Sequence, residues 1–323
     1  MKEIFIKEND ANQRVDKFLI KSFPKLSTSE VYKYIRKKRV KINNKRCEAS
    51  NKLFVGDVIQ LYINDDLLKQ ELDLKFLKSN NQLNIIYEDE NILIVNKPVG
   101  LIVHEDEKEK IDTLVNRIKK YLYVNGDFNP SSEQSFAPAL VNRIDRNTEG
   151  LVVAAKNAQA LRILNEKFRN RELKKFYLCL TQGKFKNKTG ILNHYLIKDE
   201  AKNKVYVSDK PEKNAKKIST KYRVVEELKN NKNKNLVNSI IEIELLTGRS
   251  HQIRAHMAYI GHPLVGDIKY GATKNLNGVS HQILIAYKLV FDFKTDADIL
   301  NYLNHKVFEI KDAKNKFINL EVI

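Results

Sequence analysis

Tryptophan is absent from this chain of 323 residues, and cysteine and methionine occur only twice each. The two cysteines, Cys47 and Cys179, match no metal or redox spacing, so neither a disulfide framework nor a zinc site is expected and both read as small core or half-buried residues. Long apolar runs are missing as well: nowhere do about 18 apolar residues follow one another, and the N-terminal MKEIFIKENDANQR carries charges where a signal peptide needs an apolar stretch. These absences point to a soluble, unexported, cytoplasmic protein with no membrane partner. No glycine-rich phosphate loop, dinucleotide fingerprint or nucleophile-elbow serine occurs either. Acidic side chains are the scarce sign, 40 against 58 Lys and Arg, for a formal net charge of +18. Such a surplus binds polyanions by releasing their counterions, which puts nucleic acid first among candidate partners. The chain is rich in Lys, Asn and Ile throughout, so clustering counts for more than the total.

At this length the chain divides naturally into two domains of unequal size. In RVDKFLIKSF, Val15, Phe18 and Leu19 fall at helical spacing and give one buried stripe. Ser27 and Glu30 have the spacing of a capping box, which predicts a second helix after Pro24. That helix carries Val31 and Ile35 on one side and Lys33, Arg36 and Lys37 on another, with Lys38 and Arg39 extending the same sign. Exposed helices usually mix charges to gain pair energy, so a nearly pure basic face suggests contact with RNA. VKI, the Asn43-Asn44 turn and KRC predict a hairpin, and LFVGDVIQLYI a later strand. Residues 64–82 show no strand pattern and read as a linker.

Beyond it, LNIIYEDENILIVNKPVGLIVHE reads as two strands around a turn, TLVNRIKKYL as a helix with Leu114, Ile118 and Leu122 inward, and AQALRILNEKF as a further helix. ALVNRIDRNTEGLVVAAKN is strand, loop, strand. Its loop holds one carboxylate, Asp145, between Arg143 and Arg146, and nearby guanidinium groups favour the charged form of a carboxylate. A loop held by two apolar strands is a usual place for catalytic side chains. In KKFYLCLTQG, alternation puts Phe176, Leu178 and Leu180 on one face and Tyr177 on the other. The Lys- and Asn-rich stretches at 183–188, 198–217 and 229–235 read as exposed hairpin loops. In IIEIELLTGRSHQIRAHMAYIGHPLVGD, a helix beginning near Ser250 puts His251 and Arg254 one turn apart on a face suited to an anion. His251 and His256 lie about 140° apart around that helix, which sets a shared metal aside.

NKPVGLIVH, NRIDRNTEG, KKFYLCLTQG and TGRSHQIRAHMAYIGHPLVGD resemble, in order and approximate spacing, the RluA-type RNA pseudouridine synthases. Residues 12–63 resemble an S4 domain, a compact RNA-binding module, which makes the whole similar to the RluC and RluD group that modifies large-subunit ribosomal RNA. The resemblance implies that Asp145 is the catalytic aspartate, Tyr177 the tyrosine that stacks on the target base, and Arg254 the basic residue paired with that aspartate. Arg143 matches an arginine that helps fill the space left by the extracted uridine, and Arg146, Arg249 and His251 are further substrate contacts. Lys33, Arg36, Lys37 and Arg39 become a surface that reads RNA by shape and phosphates. Three positions depart from the pattern: Asn142 stands where the family usually has histidine, Ile144 where it has leucine, and Glu149 where serine is common.

The implied reaction breaks the N1–C1′ bond of uridine and rejoins the base through C5. Such an isomerisation needs no redox cofactor, metal or nucleotide. Attack on C1′ by the carboxylate and removal of a proton from C2′ both fit the sequence. Other readings are a non-catalytic S4-type ribosome-assembly factor, a synthase acting on tRNA, and a hydrolase in which Glu149 supplies a second carboxylate. The expected architecture is α+β: an S4-like domain over 1–66, a linker over 67–82 that tethers it, and a catalytic domain over 83–323 with a mixed, largely antiparallel sheet. RNA is the expected partner of a monomer with no obligate protein partner.

Overall fold

The computed structural model describes residues 1–69, 72–229, 237–273, 279 and 281–318. In the N-terminal module, helices α1 (Val15–Ser22) and α2 (Thr28–Arg36) pack on a four-stranded antiparallel sheet. Its strands are β1 (Lys2–Phe5), β4 (Val58–Leu61), β2 (Val40–Ile42) and β3 (Lys45–Arg46), in that spatial order. Val15, Phe18 and Leu19 are fully buried, as their spacing requires. Ser27 Oγ accepts from the Glu30 amide at 3.3 Å while Glu30 Oε2 accepts from the Ser27 amide at 2.9 Å, completing the capping box. Asn43 and Asn44 hold φ values of 52° and 64°, the left-handed pair that a tight two-residue hairpin turn needs. Strand β1 was not legible in the sequence, because KEIF buries only Ile4 and is held by pairing with β4.

The larger sheet contains β5 (Ile85–Glu88), β6 (Ile92–Lys97), β7 (Ala139–Leu140), β8 (Glu149–Ala155), β9 (Leu173–Gln182), β10 (Thr189–Asp199), β11 (Lys204–Ser208), β12 (Lys216–Lys229), β13 (Val237–Leu245), β14 (Leu284–Phe291) and β15 (Val307–Glu309). Its main path runs β11-β10-β12-β13-β9-β14-β8-β6-β5, with β15 against β14 and β7 against β8. Among the described residues every pairing is antiparallel except β14 with β8, so the sheet is mixed and the fold α+β. Two-residue alternation buries both faces. On one, Leu151, Val153, Leu178 and Leu180 pack with α4 (Ala158–Arg169) and the C-terminal α6 (Asn315–Ile318). On the other, Val152, Ala154, Tyr177 and Cys179 pack with α3 (Leu114–Val124) and α5 (Gln252–Tyr259).

Two expectations need correction. The Lys- and Asn-rich stretch 198–217 is not all loop, since Lys204–Ser208 pairs with β10 as β11; side chains there alternate only briefly, with Val205 buried and Tyr206 exposed. The stretch at 229–235 lies almost wholly outside the described residues. Nor is the first module on a free tether. Leu68 belongs to its core and Phe76 to the core under α3. Asp10, 1% exposed, accepts from Ser135 N at 3.1 Å and Ser135 Oγ at 2.7 Å, Asn9 Oδ1 accepts from the first amide of α4 at 3.0 Å, and Arg162 donates to the Ala11 carbonyl at 3.2 Å. Such single polar contacts between distant segments leave no periodic trace in a sequence.

Gly150 shows how tightly the sheet closes behind the Asp145 loop. It pairs with Ala286 on one side and Lys97 on the other, at φ 139°, and a Cβ there would lie 2.4 Å from the Ala286 carbonyl oxygen. Gly150→Ala should therefore destabilise by the left-handed strain, about 1–2 kcal/mol, plus overpacking, about 1–3 kcal/mol. Gly56→Ala, with φ 89° and open space, should show only the first. Urea unfolding of both variants checks this; equal losses would mean the sheet yields at Gly150.

Candidate active site

The Asp145 loop is fixed from beneath. Lys97 is fully buried, and its Nζ donates to the carbonyls of Pro98 at 2.8 Å, Leu101 at 2.7 Å and Arg146 at 2.8 Å. Burial pushes its pKa down to about 7, against the pull of Asp145 and Glu149, while three carbonyl acceptors favour the protonated form. Gly100 N adds a second bond to the Arg146 carbonyl, and Asn142 lies along β8, donating to Leu151 O at 3.1 Å and accepting from Val153 N at 2.8 Å. The asparagine at this departure position thus pins the loop to the sheet. Ile144 is buried under it.

The cationic company of Asp145 is not the company its sequence neighbours suggested. Arg146 turns away to Asp106, at 2.8 Å, and Arg143 is exposed with no ion pair among the described residues. Adjacent loop residues point different ways, so flanking positions do not ensure contact. The partner is Arg254 on α5. Asp267 grips its guanidinium in a bidentate pair, Nε to Oδ2 at 2.7 Å and Nη2 to Oδ1 at 2.8 Å, leaving Nη1 to reach Asp145 Oδ2 at 3.4 Å. Burial works against the Arg254 charge, but the Asp267 pair and then Asp145 outweigh it and raise its pKa. His251 also approaches Asp145, Nε2 to Oδ2 at 3.9 Å, from a left-handed backbone (φ 52°) at the start of α5. Burial lowers the His251 pKa despite Asp145, so the imidazole is neutral at pH 7 and Arg254 is the charged partner.

Tyr270 receives the Val205 amide at 3.1 Å and meets His251 Nδ1 at 2.9 Å. With Nδ1 engaged by Tyr270, Nε2 is the ring nitrogen that faces Asp145. Gln252 staples the turn before α5 to β12: its Oε1 accepts from the Arg249 amide at 3.1 Å and Thr247 Oγ1 at 3.0 Å, and its Nε2 donates to Ser219 O at 3.1 Å and Thr220 Oγ1 at 3.0 Å. His256 points the other way, fully buried against His194 and Thr220.

Asp145, Tyr177 and Arg254 line one cleft of about 930 Å³, and so do Arg143, Arg146, Arg249 and His251. Tyr177 is 7% exposed on the cleft side of β9, and burial, then Asp145, holds its hydroxyl well above the usual tyrosine pKa. Lys33, Arg36, Lys37 and Arg39 stand apart on the first module, all exposed. Glu149 does not line the cleft. Asn96 Nδ2 donates to it at 3.1 Å and Lys316 pairs with it, so it faces α6 and offers no second carboxylate to a hydrolase. Asp267, Tyr270, Lys97 and Gln252 were missed as site residues: each acts through tertiary contact, and Asp267 sits too far from Arg254 for any local spacing to signal the pair. Among the described residues no group of three or more His, Cys, Asp or Glu is arranged to hold a metal.

Removing Asp267 should expose how much depends on the buried pair, whose side chains are 9% and 1% exposed. Asp267→Ala strands the guanidinium and should destabilise by about 3–5 kcal/mol, whereas Arg254→Met combined with Asp267→Ala should recover part of that loss while activity stays low. Chemical denaturation of the three proteins decides it; a single variant as stable as the parent would show that Asp267 is dispensable.

The comparisons follow the same residues. A sequence model described as RNA pseudouridylate synthase matches residues 91–259, and one described as S4 domain matches residues 13–59. An uncharacterized RNA pseudouridine synthase of Mycoplasma genitalium is 37% identical over 301 residues, 90% of this chain and 88% of that protein. The ribosomal large subunit pseudouridine synthase D of Blochmanniella floridana is 34% identical over 304 residues, 93% of this chain and 84% of its own, and synthase C of Vibrio parahaemolyticus 33% over 270, with shares of 82% and 79%. Human RNA Pseudouridylate Synthase Domain Containing 4 shares the fold, with a TM-score of 0.54 at 20% identity over 71% of this chain and 88% of that one. With a family model spanning more than half of the chain and relatives above 30% identity along most of it, the chain belongs to the RNA pseudouridine synthases and carries an S4 domain at its N-terminal end.

Proposed function

We propose that this synthase isomerises uridines of large-subunit ribosomal RNA, with Asp145 as the reacting carboxylate, Tyr177 as the surface for the extracted base and Arg254 as the cation that orients Asp145. One observation supports this above the rest: Arg254, fixed by Asp267, presents Nη1 to Asp145 at 3.4 Å in a cleft shared with Tyr177. A single oriented carboxylate serves either attack on C1′ or proton removal from C2′, because both place one oxygen against the ribose. Pulling the uridine out of its stack costs a few kcal/mol. A ring under the base and Arg143, exposed at the rim, in the vacated space would offset part of it. The ribosomal target rests on the relatives named for the large subunit and on the exposed basic face of α2. In this reading the protein works as a cytoplasmic monomer whose partner is RNA, and no cofactor takes part.

Carbodiimide mapping of large-subunit ribosomal RNA and tRNA, with and without the protein, tests the assignment. New pseudouridine in the large-subunit RNA is expected; product only in tRNA would move the target, and bound RNA with no product would leave an assembly factor. Asp145→Asn should cut turnover by roughly 10²–10⁴-fold or more and leave RNA binding in place. Among the described residues the Tyr177 hydroxyl makes no hydrogen bond, so Tyr177→Phe should be far milder than Tyr177→Ala. Full turnover by the asparagine variant would remove Asp145 from the chemistry.

A further inference from the structure

The cleft holds seven cationic side chains besides the histidines, and most are answered. Arg146 pairs with Asp106, Arg254 with Asp267, Lys198 with Glu200, and Lys269 donates to the Asn203 carbonyl. Arg143 and Arg249 are exposed, where water suffices. Lys175 is different. It lies on β9 two positions before Tyr177, hence on the same face of the strand and about 7 Å from it along the chain. Its ammonium is half-buried, 5.7 Å from the centre of the Phe168 ring and close to the Gly248 backbone, where an added Cβ would come within 3.3 Å of Nζ. Among the described residues it makes no hydrogen bond and no ion pair, and the charged neighbour that bears on it is another cation, Arg171. The fully buried ammonium groups are satisfied: Lys97 by three carbonyls, Lys167 by Glu172 and Thr295. Leaving a charge partly desolvated and unpaired costs stability unless a ligand supplies the counter-charge.

The geometry points to a phosphate subsite at Lys175, taking the phosphodiester next to the uridine that lies on Tyr177. A neutral base carbonyl would satisfy a donor but not the charge. A phosphodiester does both, and Arg249, one residue beyond Gly248, extends the same track outward. Binding would thus spend the desolvated ammonium only when a nucleotide is seated, which ties RNA affinity to occupation of the cleft. The inference rests on the proposed use of this cleft, and its test is separable from that of Asp145.

Lys175→Met keeps the stem against Phe168 and removes the charge; Lys175→Gln is a second neutral variant and Lys175→Arg a charged one. Affinity for an unmodified large-subunit ribosomal RNA transcript is measured by filter binding from low to high salt, in the Asp145→Asn background to prevent turnover, alongside thermal melting of the free proteins. Both neutral variants should melt no lower than their parent, bind about tenfold more weakly, and show a slope of log affinity against log salt shallower by about 0.7–0.9. Lys175→Arg should restore the slope. An unchanged slope in the neutral variants, or weakening that comes with a lower melting temperature and no change in slope, overturns the phosphate contact. Turnover by Asp145→Asn alone would sink the catalytic reading and leave the Lys175 result to stand on the binding data.

Discussion

A buried guanidinium gripped on two sides by Asp267 is what the candidate active site depends on, because it leaves one nitrogen, and one direction, for Asp145. The pair sits at 9% and 1% side-chain exposure, where a lone arginine would be expensive. Asp145 itself remains reachable from the cleft, at 28% side-chain exposure. Orientation and accessibility are thereby divided between two carboxylates on one arginine. The neutral His251 and the Tyr270 hydroxyl fill the remaining side without adding charge.

The sheet makes this arrangement possible. Alternating residues of β8, which follows the Asp145 loop, and of β9, which carries Tyr177, bury both faces, so neither strand can shift without opening two cores. Lys97, at the end of β6, and Asn142, along β8, then fasten the loop to those two strands through backbone atoms, and Gln252 fastens the start of α5 to β12. The two halves of the site come from segments more than a hundred residues apart, joined where Arg254 and His251 meet Asp145. The N-terminal module touches the same domain near Ser135, on the stretch that leads into β7 and the Asp145 loop, so its basic α2 face and the cleft belong to one scaffold.

Legibility followed the range of the signal. Capping at Ser27, the Asn43-Asn44 turn, the inward stripe of α3 and the alternation along β9 are written in residues a few positions apart, and each stands where spacing put it. The segments around Asp145, Tyr177 and Arg254 were readable as motifs because their residue types and order are unusual together. Strand β1, the strand content of 204–208 and the contacts of Asp10 were not, since short or mixed elements take their structure from what they pair with.

Sequence by itself determined the class of protein, the two kinds of domain and the segments that line the cleft, because periodicity, caps, charge balance and motif order are local properties of the chain. Only the tertiary structure decided that Arg143 and Arg146 turn away from Asp145, where Glu149 faces, and that Lys175 stands unanswered in the cleft. Those are matters of direction and distance between residues far apart in the chain, and a linear order of side chains does not contain them until packing of the sheet and α5 fixes where each one points.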